Sequence, residues 1–143
     1  MFTGTHRVRV DEKGSLAIPP SFRKPRPAGS YVSQGQDGVL AIYPPEVWEA
    51  LAQQLRSPLQ GPDQRALART LYSLSDSFEP DGQGRITLSA ESRRAAGIEN
   101  PSTAVVIGSG SRVEIWPEER WNSYSADAQE RFTEFADRVI SGH

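Results

Sequence analysis

A chain of 143 residues with 36% hydrophobic and 24% charged residues has the length and balance of one soluble domain able to bury a core. No apolar run approaches the roughly 18 residues needed to span a bilayer, the N-terminal segment lacks the apolar stretch of a signal peptide, and the absence of cysteine excludes disulfides and Cys-based metal sites. The net charge is −2, yet residues 1–30 carry Arg7, Arg9, Lys13, Arg23, Lys24 and Arg26 against Asp11 and Glu12, while residues 113–143 carry three arginines against seven acidic residues. That polarity suits a polyanion at one end and an acidic far side at the other, in a protein expected to be cytoplasmic.

Taken in chain order, Thr5 to Val10 alternates, with Val8 and Val10 on one face and Arg7 and Arg9 on the other, which is the period of a half-buried strand. Asp11-Glu12-Lys13-Gly14 reads as a turn, and Ser15 to Ile18 as the return strand of a hairpin. Pro19-Pro20 ends it, with one helical turn expected over Ser21 to Lys24 and loop over Lys24 to Gly29. Tyr31 to Gln34 and Val39 to Tyr43 read as strands around a turn at Gly35–Gly38. A helix is expected from Pro44-Pro45 to about Arg56, with Val47, Trp48, Leu51, Ala52 and Leu55 on one face. The Ser57–Pro62 stretch breaks it, and a second helix runs from about Asp63 to Ser75.

The plan then repeats. Asp76 to Pro80 is the next expected strand, Asp81–Gly84 the turn and Arg85 to Leu88 the return strand. Ser89 is a candidate N-cap for a helix over Ala90 to Ala96 closed by Gly97. Ala104 to Ile107 and Arg112 to Trp116 form the next strand pair. Pro117 starts a helix through Trp121, and a last helix capped at Ser125 carries the stripe Ala128, Phe132, Phe135, Ala136 and Val139, of the kind that usually packs on its own domain.

Two blocks make the repetition explicit. The block 11–23, opening Asp11-Glu12-Lys13-Gly14-Ser15-Leu16-Ala17-Ile18, matches the block 81–93, opening Asp81-Gly82-Gln83-Gly84-Arg85-Ile86-Thr87-Leu88, at an offset of 70, each block closing on an arginine, Arg23 or Arg93. Tyr43-Pro44-Pro45-Glu46-Val47-Trp48 matches Trp116-Pro117-Glu118-Glu119-Arg120-Trp121 at an offset of 73. Two matched blocks in the same order indicate an internal duplication, and two copies are too few for a solenoid.

Little supports catalysis. His6 and His143 have no partner at metal-ligand spacing, no nucleophile lies near a base, and Gly108-Ser109-Gly110 fits a hairpin turn better than a dinucleotide fingerprint. No metal, cofactor or enzymatic activity is expected. The informative residues are the basic ones at the two equivalent hairpins: Arg7, Arg9 and Lys13 in the first and Arg85 in the second. A two-stranded ribbon fits the DNA major groove, where Arg reads guanine and neighbouring Lys and Arg hold phosphates. Arg7 and Arg9 also fit the plain solvent face of an amphipathic strand.

The start Met1-Phe2-x-Gly4, the block from Asp11 to Pro19-x-x-Phe22-Arg23, the block Asp81–Arg85 and the paired Tyr43-Pro44 and Ile115-Trp116 motifs resemble the MraZ family of bacterial transcriptional regulators. The resemblance implies an α+β fold: two pseudo-symmetric AbrB-like swapped-hairpin units forming a small barrel with flanking helices. The units are expected over residues 1–60 and 77–124, with a connecting helix at 61–76 and a C-terminal helix at 125–143. It implies a ring-shaped homo-oligomer, associated with the nucleoid. It further implies binding to double-stranded DNA at direct repeats in the promoter of its own division and cell-wall gene cluster, through Arg7, Arg9, Lys13, the position of Ser15, and Arg85. The family's first hairpin ordinarily ends in arginine where this chain has Ser15. Losing one bidentate guanine contact costs about 1–3 kcal/mol. The competing expectation is therefore a structural or protein-interaction ring with weakened DNA binding.

Overall fold

The computed structural model describes residues 1–23, 29–57 and 61–140. The expected loop over 24–28, the break at 58–60 and His143 lie outside them. The elements are β1 (Thr5–Val10), β2 (Ser15–Ala17), β3 (Tyr31–Gln34), β4 (Leu40–Tyr43), α1 (Pro45–Leu55) and α2 (Pro62–Ser73). They continue as β5 (Asp76–Ser77), β6 (Arg85–Thr87), α3 (Ala90–Ala96), β7 (Ser102–Gly108), β8 (Val113–Pro117), α4 (Glu118–Glu130) and α5 (Phe132–Val139). The fold is α+β. One sheet has the order β1-β7-β8-β4-β3-β5, and β2 and β6 form a separate ribbon. Every described pairing is antiparallel.

The expected local hairpin between β1 and β2 is not what forms. After one bond from the Asp11 N–H to the Ser15 carbonyl (2.9 Å), the strands part. β1 pairs along its whole length with β7, from Thr5 opposite Ile107 to Val10 opposite Ser102, and β2 pairs with β6. The physical reason is burial. β2 is three residues long, and turning it away from β1 sends Leu16 fully into the core. β7, with residues 104–107 all buried, offers β1 a longer apolar partner. The second repeat does the same on a smaller scale. Its expected strand over 76–80 is reduced to Asp76–Ser77, paired with β3, and Pro80 has no N–H to extend the ladder.

The registers reveal a pseudo-two-fold relation between the repeats. In the ribbon, Ser15 faces Thr87 and Ala17 faces Arg85. In the sheet, Leu40 faces Ile115 and Ile42 faces Val113. Equivalent residues of the two repeats therefore exchange places across Leu16–Ile86 and across Ala41–Glu114. One core results, in which Val10, Leu16, Ile18 and Phe22 of the first repeat pack with Ile86, Leu88, Ile98 and Ile115 of the second. The expected small barrel would need a further pairing to close the sheet, and among the described residues β1 and β5 remain its edges.

The other face of the sheet is covered by helices. Ala41, Tyr43, Leu55 and Leu71 pack under α1 and α2, with Trp48 stacked on Tyr31 at 4.8 Å. Val39, Val105, Ile107 and Trp116 pack under α4 through Trp121. The buried Ser33 hydroxyl donates to the Leu71 carbonyl at 2.6 Å, tying β3 to α2. Ser33→Ala leaves that carbonyl without its donor, so a loss of about 1–3 kcal/mol is expected in urea unfolding. A value near zero would show that the bond contributes nothing net.

At α3 the sequence reads correctly: the Ser89 side chain accepts from the Ser92 N–H, and Gly97 closes the helix at φ 72°. The C-terminal reading needs correction. α4 runs unbroken through Ser125, whose hydroxyl turns back to the Asn122 carbonyl (3.4 Å) in place of capping. α5 begins only after Arg131. Its stripe does not pack on the domain, since Phe132 and Val139 are 70% and 79% exposed; Phe135 lies under the Arg131 guanidinium at 4.6 Å.

Candidate nucleic-acid interface

The two acidic turns are built alike. In the first, Asp11 Oδ1 accepts the N–H groups of Lys13 and Ser15, both at 2.9 Å, and the Gly14 N–H donates to the Asp11 carbonyl at 3.0 Å. In the second, Asp81 Oδ1 accepts from Gln83 (2.8 Å) and Arg85 (3.1 Å), and the Gly84 N–H donates to the Asp81 carbonyl at 2.9 Å. Short acidic side chains suit this role because they reach backbone donors two and four residues on. Gly14 and Gly84 take φ of 83° and 77°, a region glycine enters without steric cost.

The turns are locked to each other across the repeats. The Ile18 N–H donates to the Gly84 carbonyl (2.8 Å), and the Leu88 N–H to the Gly14 carbonyl (3.0 Å). Arg85 Nη2 donates to Asp11 Oδ2 at 2.8 Å. Ser15 occupies the equivalent place in the first repeat, where its hydroxyl lies 2.6 Å from that of Thr87. The Asp81 carboxylate consequently has no side-chain partner among the described residues. The Arg85–Asp11 pair is 33% and 42% exposed, so its net worth is about 0–1 kcal/mol; its main effect is to fix where the guanidinium points.

A second arginine pair reinforces the lock. Arg93 of the second repeat lies over Gly14, where an added Cβ would come within 2.6 Å of its Nε, and Arg23 of the first repeat lies over Gly84 in the same way. Arg93 Nη1 donates to Asn100 Oδ1 (2.6 Å), and Asn100 Nδ2 to the Glu12 carbonyl (2.6 Å). The sequence assigns no site role to Arg23, Arg93 or Asn100, nor a carboxylate partner to Arg85. The signal was present in the arginine that closes both matched blocks.

The remaining basic residues are dispersed. Arg7 is held by α4, its Nε 3.1 Å from Glu118 Oε2 and its Nη2 donating to Asn122 Oδ1 at 2.7 Å. Arg9, opposite Thr103, shares that face of β1; it and Lys13 are exposed and have no side-chain partner among the described residues. The structure thus joins Ser15 and Arg85 through the ribbon, keeps Lys13 at the first turn, and sets Arg7 against the acidic start of α4. His6 packs edge-on to Phe22 at 5.3 Å. Among the described residues no group of three or more His, Asp or Glu side chains could hold a metal ion, and no helix is long and apolar enough to cross a membrane.

Both aspartates sit below the ordinary carboxylate range. For Asp11 the main cause is the Ser15 N–H, helped by the Lys13 N–H and Arg85 and opposed by partial desolvation; for Asp81 it is the N–H groups of Arg85 and Gln83. A depressed folded pKa gives stability that is present at neutral pH and lost as pH falls through the folded value. Thermal melts carried from neutral pH down through the carboxylate range should show a decline that is shallower in Asp11→Asn. An identical decline would mean that the Asp11 turn does not sense protonation.

A family model described as "MraZ protein, putative antitoxin-like" matches the chain twice, over residues 1–70 and 71–141. Proteins named transcriptional regulator MraZ from Nocardia farcinica, Corynebacterium glutamicum strain R and Saccharopolyspora erythraea are 41%, 40% and 38% identical to it, each alignment covering 99% of both chains. The duplicated turn, the family match over both copies and these full-length relatives agree: the chain belongs to the MraZ family.

Proposed function

We propose that this protein is a sequence-specific, DNA-binding transcriptional regulator without enzymatic activity. The observation that carries the reading is the pair of cross-locked turns, a rigid two-stranded ribbon with Lys13 free at one turn, in a chain whose relatives are named transcriptional regulators. Rigidity matters because a reading side chain must be held in place before base contacts can discriminate. Its targets are direct repeats in the promoter of its own division and cell-wall gene cluster. It works in the cytoplasm at the nucleoid, as a ring-shaped homo-oligomer of AbrB-like paired units closing into a small barrel. Several weak turns engaging several repeats at once would give the ring its affinity.

Lys13 and Arg9 supply phosphate contacts, Arg7 joins them on exchanging Glu118 for phosphate, and Arg85 reads bases on leaving Asp11. Ser15 is the position of the missing reader, which favours the second reading of a ring with weakened DNA binding. The test is binding to duplex DNA from upstream of the protein's own gene at two salt concentrations, beside Ser15→Arg. The expected result is selective binding by the unaltered chain that weakens steeply with salt and tightens in Ser15→Arg. Binding by Ser15→Arg alone would favour the weakened ring. No binding by either at low salt would end the regulator reading.

A further inference from the structure

Arg23 and Arg93 occupy equivalent places, each over the glycine of the opposite turn, but their surroundings differ. Arg93 is satisfied: its Nε donates to the Leu88 carbonyl (3.4 Å) and its Nη1 to Asn100. Arg23 has no such partners. Its Nε is buried without a hydrogen bond, and its terminal nitrogens, which are not buried, donate to nothing among the described residues. The buried Nε is closed to an arriving anion, but the terminal nitrogens are committed to no partner among the described residues and are left to form a charge-assisted pair with one.

The two turns differ in the complementary sense. The first has its own free cation, Lys13. The second, Asp81-Gly82-Gln83-Gly84, has none, and the arginine that follows it is held by Asp11. Access to the second turn is open, since a Cβ at Gly82 would meet nothing within 4 Å. We propose that Arg23, reaching across from the first repeat, is the phosphate-binding cation of the second turn and stands in for the lysine that this turn lacks. The ligand is a DNA phosphodiester, so the inference rests on the regulator reading. A planar guanidinium fork matches two phosphate oxygens, and Gly84 is the residue type that lets the fork lie against the turn.

The test measures binding to the same upstream duplex by fluorescence anisotropy over a salt series, for the unaltered chain, Arg23→Gln, Arg23→Lys and Arg138→Gln, with a melting temperature for each. In Arg23→Gln the slope of log affinity against log salt should become shallower by about 0.9 for each engaged turn, the value for one lost phosphate contact, and Arg23→Lys should restore it. Arg138→Gln, on α5 and outside both turns, should leave the slope unchanged. If Arg23→Gln folds poorly, the Arg23 Nε–H resonance of the unaltered protein supplies the readout: it should shift on adding duplex while that of Arg93 does not. An unchanged slope in Arg23→Gln, or an unmoved Arg23 resonance, with the unaltered chain binding in a salt-dependent way, overturns this assignment alone. Absence of salt-dependent binding by the unaltered chain overturns the regulator reading and this assignment with it.

Discussion

Leu16→Ala is expected to destabilise the protein by about 2–5 kcal/mol, a large share of the roughly 5–15 kcal/mol typical of a domain. Leu16 is completely buried and faces Ile86 in the ribbon where the repeats meet. Truncating it removes contacts to both halves of the core at once, and the ribbon is too short to collapse into the space. For a chain of this size the loss corresponds to a fall in Tm of roughly 4–20 °C. Ile86→Ala alone should act similarly, and the double variant should depart from additivity because the two side chains share one site. A loss under about 1 kcal/mol for Leu16→Ala would mean that the ribbon is not a core element.

Gly14→Ala is the second large effect. Gly14 has φ 83°, and an added Cβ would lie 2.6 Å from Arg93 Nε and 3.1 Å from the Leu88 carbonyl oxygen. The left-handed conformation costs a side-chain-bearing residue about 1–2 kcal/mol, and forcing the contacts adds about 1–3 kcal/mol. Arg93 can move only by leaving Asn100, and Asn100 in turn holds the Glu12 carbonyl, so the turn that presents Lys13 should lose its shape as well. Urea unfolding should show the stability loss, and DNA binding below the melting transition should weaken. Gly82→Ala is the control: it meets no atom within 4 Å and has no positive φ, so a change within about 0.5 kcal/mol is expected. Equal effects at the two glycines would show that the Arg93 contact is irrelevant.

Local chemistry was readable in this sequence, and pairing was not. The Asp-x-x-Gly turns, the Ser89 cap with Gly97, and helices α1 and α2 follow from side chains acting on backbone within a few residues. The exchange of β1 and β2 partners does not, because Asp11–Gly14 closes the same first hydrogen bond whether or not the strands then separate. What separates them is the burial available against β7 and β6, about 70 to 100 residues away. The end of the chain misled for a related reason: an apolar stripe at helical spacing states that a face needs cover, and Phe132 and Val139 find none within the domain. For the candidate site, Arg7, Arg9, Lys13, Ser15 and Arg85 can be named from the sequence as candidates. The contacts of Arg7 with Glu118, Arg85 with Asp11 and Ser15 with Thr87 cannot be named that way, because each crosses from one repeat to the other.

The exchanged pairing also bears on how the chain is made. β1 leaves the ribosome about 100 residues ahead of its partner β7. Until then Val8 and Val10 have only half of their shelter, and the strand edge is open to any passing chain. Contacts this distant in sequence slow folding, toward milliseconds to seconds for sheet-rich domains. Fusing two repeats into one polypeptide raises the local concentration of the correct half, turning an encounter between molecules into the closing of a loop.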